Sequence, residues 1–253
     1  MTGPTSPRYG LHADRYRKYR PTYPDWLFDR AAEACGEPHA FAVELGAGAG
    51  QATPKILARF ERVRVIEPDA DMAARIPPDP RLEVVVAPAE TADLGQGVDA
   101  VFSATALHWM DARVVGKRVA AALRPGGVFL AFGYQPMEVV APDLVVELIR
   151  RELAEAWTPY VEPQLSDWRP YPELIGRSGA FSHVQEIAFE LFEERTPESA
   201  AGLFLTTSYA AAHARSTGDE EGYLQDLAER IAVAADGEPV TVRFQVTGGL
   251  ARV

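Results

Sequence analysis

Between residues 41 and 134, short apolar runs alternate with stretches of helical periodicity. Each run is too short for a typical helix and is apolar on both faces, as in strands of a parallel sheet that is covered on both sides. The runs are FAVEL (41–45), VRVIE (63–67), LEVVV (82–86), VDAVFS (98–103) and GVFLAFGY (127–134). The helical stretches between them are 52–59, 70–75 and 113–123. Repeated strand–helix units of this length predict a doubly wound α/β sheet with right-handed crossovers.

The rest of the chain is predicted to add helices and two edge strands to this sheet. Asp25 is a plausible N-cap for a helix that runs to Cys35. The pattern favours helix over 140–156 and 197–234, and strands over 183–194 and 239–253. We therefore expect a mostly parallel sheet of seven strands. One of the two late edge strands could run antiparallel to the others. The predicted organisation is one domain over 1–253, with an N-terminal helical cap (1–38), an α/β core (39–135), a helical insertion that forms a lid (136–182) and the C-terminal part of the sheet (183–253).

Charge and cysteine content narrow the class of protein. The net charge of -11 argues against nucleic acid or an anionic membrane as a partner, because both require a basic face. Cys35 is the only cysteine, so neither an intramolecular disulfide nor a cysteine-based zinc site is possible, and no metal site is predicted. No apolar run resembles a signal peptide or a membrane span. We expect a cytoplasmic protein, either a monomer or a homodimer.

The segment VELGAGAGQAT (43–53) indicates where a ligand binds, because it joins the first strand to a helix through three glycines. Glycine allows positive φ and lets a ligand approach the backbone closely. A dinucleotide fingerprint, G-x-G-x-x-G, counted from Gly46 would need glycine at 51, where this chain has Gln51. The spacing favours a cofactor that has no phosphate, with Glu44 near a cationic ammonium group.

A second acid supports a nucleoside. Glu67 closes the second strand, 21 positions after Gly46 (67 − 46 = 21). At that place a carboxylate can accept hydrogen bonds from both ribose hydroxyls. Because NAD sites share this acid, it indicates a nucleoside without distinguishing between cofactors.

Five ordered motifs resemble those of class I S-adenosylmethionine-dependent methyltransferases. They are VELGAGAGQAT, VIEPDADM, APAE, FSATALHWM and LRPGG. More narrowly, YRPTYP and ALHWM resemble the trans-aconitate methyltransferase-like and UbiE-like group. The resemblance covers about residues 9–135 and implies a Rossmann-like methyltransferase fold. It also implies S-adenosylmethionine as cofactor, S-adenosylhomocysteine as product and a small-molecule acceptor.

The resemblance also implies roles for individual residues. The methionine and ribose portions would contact Gly46, Ala47, Gly48 and Gln51, and Glu67 would bind the ribose hydroxyls. The adenine would contact Pro68, Met72, Ala89 and Glu90. Ala104 would lie near the sulfonium, and Arg20 would pair with the cofactor carboxylate, for which guanidinium is well suited. Many relatives carry Asp or Ser where this chain has Pro88. Glu90 or a backbone carbonyl would then have to recognise the adenine amino group.

His108 is the candidate catalytic residue, since it follows the fourth strand at the expected acceptor site. A neutral imidazole there would take a proton from a hydroxyl or amine acceptor. The alternative is that His108 only packs the loop, since methyl transfer often needs no base. A carboxylate acceptor would need none, and tyrosines and an arginine would then dominate the pocket.

Two other functions compete with methyl transfer. One is an NAD-dependent oxidoreductase, which Gln51 disfavours. The other is a protein that binds S-adenosylmethionine without transferring its methyl group, because a fold alone does not select one function. A role in natural-product biosynthesis is a further hypothesis, based on the resemblance and on the composition.

Overall fold

A seven-stranded sheet organises the part of the chain that the structure describes. The structure is a computed structural model, and it describes residues 13–161 and 169–253. The strands are β1 (Phe41–Leu45), β2 (Arg62–Ile66), β3 (Leu82–Val85), β4 (Val98–Ala104), β5 (Leu123–Ala141), β6 (Val184–Arg195) and β7 (Val240–Arg252). Their order in the sheet is β3-β2-β1-β4-β5-β7-β6. Strands β1 to β5 pair in parallel, and β7 is antiparallel to both β5 and β6. The predicted mostly parallel sheet with an antiparallel strand near its edge is confirmed.

Helices precede the sheet and connect its strands. They are α1 (Ala13–Tyr19), α2 (Asp25–Cys35), α3 (Thr53–Leu57), α4 (Ala70–Ala73), α5 (Ala112–Ala122), α6 (Asp143–Arg151), α7 (Tyr171–Gly176), α8 (Pro197–Phe204), α9 (Ser208–Ser216) and α10 (Glu220–Ala235). A π-helical turn (Glu152–Trp157) and a 3₁₀ turn (Thr158–Tyr160) continue α6. Another 3₁₀ turn, Leu107–Trp109, follows β4.

Apolar clusters lie on both faces of the sheet, as expected for a doubly wound fold. One cluster joins the sheet to α2, α3, α6 and α8 to α10, with Phe102, Phe132 and Phe244 among its buried side chains. The other joins the opposite face to α5 and α7. Both faces of β1 are therefore buried, which explains why four of its five residues are apolar.

The chain changes direction beside β1, and this places the ligand-binding edge. From β1 it moves outward through β2 to β3, and then returns to β4 on the other side of β1. The loops that follow β1 and β4 therefore lie at the carboxyl ends of adjacent strands, and they lead to helices on opposite faces of the sheet. Crevices at such switch points are where ligands bind in open α/β sheets.

Two predicted boundaries differ from the structure. Pro24 holds the N-cap position of α2 and makes no side-chain capping bond, whereas the Asp25 carboxylate pairs with Lys55 and Arg59. Strand β5 continues beyond its predicted end at residue 134 as far as Ala141, because residues 137–141 also pair with β7. The described residues of the predicted insertion, 136–161 and 169–182, include the end of β5, helices on one face of the sheet and α7 on the other. The apolar pattern of a single segment does not show which distant strand it pairs with.

Ion pairs and hydrogen bonds attach α1 to the rest of the molecule. Arg15 pairs with Glu220, and Asp14 pairs with Arg75. Lys18 Nζ and the Tyr19 hydroxyl both donate to Glu198, over 3.2 and 3.0 Å. These contacts link α1 to α8 and α10 on one side and to the end of α4 on the other.

Gly202→Ala is expected to lower the free energy of unfolding by about 1–3 kcal/mol, the usual cost of overpacking. A Cβ at position 202 would lie 2.4 Å from Cε2 of the buried Tyr19 ring. Urea unfolding measures the change. Gly176→Ala is the matched control, since a Cβ there has no atom within 4 Å. Equal stability of the two variants would show that Tyr19 does not pack on α8 as described.

Candidate active site

The loop after β1 has a backbone conformation that favours glycine at three positions. Gly46, Gly48 and Gly50 have φ values of 67°, 58° and 83°. A Cβ on Gly46 would lie 2.5 Å from Cβ of Ala106, in the loop after β4. The two loops of the switch point therefore touch, and glycine is the residue that this contact permits.

Glu67 lies directly beneath this glycine loop. One carboxylate oxygen, Oε2, accepts from the Gly48 amide at 2.8 Å, and Oε1 accepts from the Asp69 amide at 3.0 Å. Burial raises the pKa of Glu67, and the two amide bonds oppose that shift. Each oxygen retains acceptor capacity beyond one hydrogen bond. This pair of acceptor oxygens fits two adjacent hydroxyl groups that donate, as in a ribose.

Glu44 does not face this side of the loop. It is 1% exposed, and Oε2 accepts a 2.6 Å hydrogen bond from the Thr53 hydroxyl. Burial raises the pKa of Glu44 to about 8, so its neutral form is favoured at pH 7. Its expected contact with a cationic ammonium stays a prediction, and a neutral carboxyl attracts a cation less than a carboxylate does. The structure instead indicates that Glu44 anchors α3 beneath the loop.

The residues expected to contact adenine follow β2 and β3 at the same edge of the sheet. Met72 is buried against Ala49 and Tyr16, with Cε 3.3 Å from where a Gly48 Cβ would lie. Glu90 is half-buried, and its Oε1 accepts from the Asp111 amide at 2.9 Å. Pro68 is exposed and Ala89 is buried, and the contacts of these four residues with adenine stay predictions. Ala47 and Gln51, expected to contact the methionine and ribose portions, are half-buried, and their contacts also stay predictions.

Arg20 lies among aromatic rings on the other side of the loop. Nε donates to the Thr206 hydroxyl at 2.6 Å, and Nη1 donates to the Tyr134 hydroxyl at 3.2 Å. The guanidinium is 4.9 Å from the ring centre of Tyr16 and 5.4 Å from that of Tyr134, distances typical of cation–π contacts. Its expected pairing with a cofactor carboxylate stays a prediction.

Four tyrosines surround Arg20 and His108, and we call them the tyrosine cluster: Tyr16, Tyr23, Tyr134 and Tyr171. The last three are buried. Burial raises the pKa of each of these three hydroxyls, and electrostatic interaction with the Tyr16 hydroxyl adds to each increase. All three hydroxyls are consequently protonated and able to donate at neutral pH.

The end of β4 brings this cluster to the glycine loop. Ala104, the last residue of β4, is half-buried, and Thr105 follows with φ 56°, a rare value for a β-branched residue. Two contacts hold Thr105: its amide donates to the Phe132 carbonyl at 2.6 Å, and its hydroxyl is 3.1 Å from that of Tyr23. Strained backbone of this kind is concentrated at functional sites.

His108 is half-buried in the turn that follows. Its Nδ1 lies 2.9 Å from the Tyr171 hydroxyl, and the two rings meet edge to face. Burial lowers the pKa of His108 to about 4, and the positive charge of Arg20 contributes to the shift. The imidazole is therefore neutral at pH 7. The weakly basic ring is poorly matched to deprotonating a hydroxyl, since a general base works best when its pKa is near the working pH.

Comparison with known proteins identifies this arrangement. Residues 43–131, from β1 to β5, match the family described as "Methyltransferase domain". An uncharacterized methyltransferase of Mycobacterium tuberculosis is 33% identical over 218 residues, which are 79% of this chain and 76% of that protein. The chain belongs to the class I S-adenosylmethionine-dependent methyltransferases.

Two further comparisons extend over different shares of this methyltransferase. A methyltransferase of Dictyostelium discoideum is 27% identical over 172 residues, 64% of this chain, and the match spans 65% of that relative, just under two thirds. The structure of a type II methyltransferase from Anaeromyxobacter dehalogenans is 27% identical, covers 92% of this chain and 98% of its own, and has a TM-score of 0.69. The predicted Rossmann-like methyltransferase fold is confirmed.

Sequence reasoning overlooked part of this site. Tyr23, Tyr134, Thr105 and Thr206 were not predicted to contribute to it, although the YRPTYP motif contains Arg20 and Tyr23. Tyr171 is one of several aromatic residues between 157 and 174, of which Trp168 is outside the described residues. The side chains of this site come from the segment between α1 and α2, the turn after β4, β5, α7 and the segment between α8 and α9. No spacing in the sequence brings them together.

Within residues 13–161 and 169–253, every helix is too short or too polar to span a membrane. Nor do these ranges contain a group of three or more His, Cys, Asp or Glu residues arranged to hold a metal ion.

Proposed function

We propose that this methyltransferase transfers the methyl group of S-adenosylmethionine to a small molecule, and that the accepting atom is a carboxylate oxygen. The observation that carries the proposal is the environment of His108. Its pKa of about 4 makes it a weak base, while Arg20 and the tyrosine cluster supply a positive charge and hydroxyl donors. A carboxylate is already nucleophilic at neutral pH, so its methylation needs no base.

The cofactor would bind along the carboxyl edge of β1, β2 and β3. Glu67 would accept hydrogen bonds from the ribose hydroxyls, and Arg20 would pair with the cofactor carboxylate. The loop Gly46, Ala47, Gly48 and Gln51 would lie against the ribose and methionine portions. Pro68, Met72, Ala89 and Glu90 would contact the adenine, and Ala104 would lie near the sulfonium. Bound S-adenosylmethionine supplies a methyl group that its sulfonium has already activated.

The protein's part in the reaction is to align the acceptor and keep out water. Aligning two bound reactants contributes on the order of 7–11 kcal/mol in well-oriented model reactions. Buried Tyr23 and Tyr134 would remove water from the acceptor, and exclusion of water favours a reaction in which opposite charges are neutralised. Helix α1 would close the site, because Tyr16 packs on Met72 while Arg20 packs on Tyr16.

Several finer assignments belong to this proposal. The trans-aconitate methyltransferase-like and UbiE-like group is favoured by the YRPTYP and ALHWM motifs. The acidic net charge favours a small acceptor over nucleic acid or an anionic membrane. A cytoplasmic location, a monomeric or dimeric state and a role in natural-product biosynthesis are proposed on the sequence evidence given above.

The test is a transfer assay with methyl-labelled S-adenosylmethionine and three acceptor panels: mono-, di- and tricarboxylates, phenols, and primary amines. Label is expected in the carboxylate panel. Mild alkali should release it as methanol, since esters hydrolyse under conditions that leave ethers and amines intact. Alkali-stable label would overturn the carboxylate assignment, and label on protein or RNA would overturn the small-molecule assignment.

The two competing functions predict different binding results. In a thermal-shift assay, S-adenosylhomocysteine should raise the melting temperature of this methyltransferase. An NAD-dependent oxidoreductase would instead be stabilised by NAD. S-adenosylmethionine binding with no transfer to any panel, protein or RNA would favour the non-methylating alternative.

A further inference from the structure

Tyr171 connects α7 to the proposed acceptor site. It is 1% exposed, at the first residue of α7, on the sheet face opposite α2 and α8 to α10. Its ring lies over Gly133 of β5, where a Cβ would be 2.5 Å from the Tyr171 hydroxyl oxygen and 2.6 Å from Cε2. Glycine within a strand often marks a close approach by another group, and here it leaves room for the ring.

The hydroxyl of Tyr171 has one hydrogen-bond partner within the described residues, and that partner is Nδ1 of His108. Because the phenol is neutral, its oxygen carries one hydrogen, and this hydrogen is buried. If Nδ1 carried the imidazole hydrogen and donated to the oxygen, the phenolic hydrogen would have no acceptor. An unsatisfied buried donor typically costs more than one left-over acceptor lone pair.

The opposite arrangement satisfies both groups. When Tyr171 donates to Nδ1, the phenolic hydrogen and the imidazole lone pair are both paired. A neutral imidazole has one ring hydrogen, which must then be on Nε2. Within the described residues no hydrogen bond to Nε2 is seen, so this nitrogen remains available to an incoming molecule.

We infer that Tyr171 is a positioning residue that holds His108 in the Nε2–H tautomer, so that His108 offers the acceptor a hydrogen-bond donor and not a base. The inference rests on the proposed function for the identity of the acceptor, but the tautomer itself does not depend on it. A neutral donor suits a carboxylate, whose second oxygen can accept the hydrogen bond while the first receives the methyl group. Methyl transfer forms an oxygen–carbon bond and breaks the sulfur–carbon bond, and no proton has to move.

The tautomer can be measured without an acceptor. In protein labelled with ¹⁵N-histidine, two-bond proton–nitrogen correlations distinguish Nε2–H from Nδ1–H. We expect His108 to be Nε2–H in the unmodified protein. In Tyr171→Phe, which keeps the ring over Gly133, we expect the Nδ1 resonance to move and both tautomers to be populated. The matched control is Tyr160→Phe, which removes a hydroxyl that donates to Ser216 beside His213, in a different part of the molecule.

Kinetics with the carboxylate that is methylated fastest in the acceptor panel provide the second readout. Tyr171→Phe should raise the KM for that carboxylate about five- to tenfold and leave kcat within about twofold, because a binding contact is weakened. Affinity for S-adenosylhomocysteine should not change. His108→Gln, which can donate but cannot take up a proton, should retain kcat within about tenfold, whereas loss of a general base costs 10²- to 10⁴-fold.

Several results would overturn the inference. A hydrogen on Nδ1 in the unmodified protein would reverse the assigned direction of the hydrogen bond. A His108 spectrum and a KM unchanged by Tyr171→Phe would remove the positioning role. A 10²-fold loss of kcat in His108→Gln would make His108 a base. If no carboxylate is methylated, the proposed function fails, while the tautomer spectrum still decides the role of Tyr171.

Discussion

Glu67→Ala is expected to weaken S-adenosylhomocysteine binding at least about 100-fold. Two hydrogen bonds from the ribose to a charged carboxylate would be lost, each worth about 1.5–3 kcal/mol, and 1.4 kcal/mol corresponds to tenfold in affinity. The same substitution releases the Gly48 and Asp69 amides, which loosens the loop against which the cofactor would lie. Isothermal titration calorimetry measures the dissociation constant directly.

Two further variants separate the carboxylate's contacts from a general loss of charge. Glu67→Gln keeps one oxygen acceptor and should lose less affinity than Glu67→Ala. Glu83→Ala removes an exposed acid from the neighbouring strand β3 and should bind as well as the unmodified protein. If Glu67→Ala binds S-adenosylhomocysteine undiminished, the proposed cofactor site is wrong.

Between about pH 5 and pH 8, the free energy of unfolding of the protein without cofactor should fall as pH rises. We expect Glu44→Gln to make this fall smaller. The native state keeps the Glu44 proton up to about pH 8, whereas an unfolded chain releases it near 4.5. Between these values the native state binds more protons, so the free energy of unfolding falls as pH rises, by up to about 1.4 kcal/mol per pH unit. This contribution is complete below pH 4.5 and is lost as pH rises through 8. Glutamine has no proton to lose and can still accept from Thr53.

Urea unfolding at one-unit pH intervals measures this effect. The stability difference between Glu44→Gln and the unmodified protein should grow with pH through the window and level off above it. Glu229→Gln makes the same chemical change on an exposed face of α10, and it should follow the unmodified protein. Parallel pH profiles for Glu44→Gln and the unmodified protein would mean that Glu44 is already ionised in the native state.

The raised pKa of Glu44 also limits how strongly this residue can attract a charged group of the cofactor. A carboxyl that is neutral at pH 7 and bonded to Thr53 contributes little attraction for an ammonium group. Arg20 and Glu67 are instead the charged residues that we propose to contact the cofactor carboxylate and the ribose. Those two residues therefore give the most direct tests of the proposed binding mode.

The residues from 41 to 134 determined the order and type of the core elements from sequence alone. A strand buried on both faces is mostly apolar, and FAVEL, in which Glu44 is the one charged residue, matches β1 residue for residue. The glycine loop was equally visible, because positive φ at Gly46, Gly48 and Gly50 restricts the residue type locally. Glu67 was predicted from its distance along the chain, since one strand–helix–strand unit fixes how far apart two adjacent strand ends lie in sequence.

Tertiary structure decided what no local pattern contains. Glu44 and Glu67 both stand at strand ends, yet only packing shows that one is enclosed with Thr53 while the other binds loop amides. The meeting of His108 with Tyr171 depends on how α7 packs over β5, across 63 positions of sequence. Local periodicity reports which face of an element is buried. It does not report which distant residue meets that face, because that partner is selected by the packing of the whole sheet and its helices.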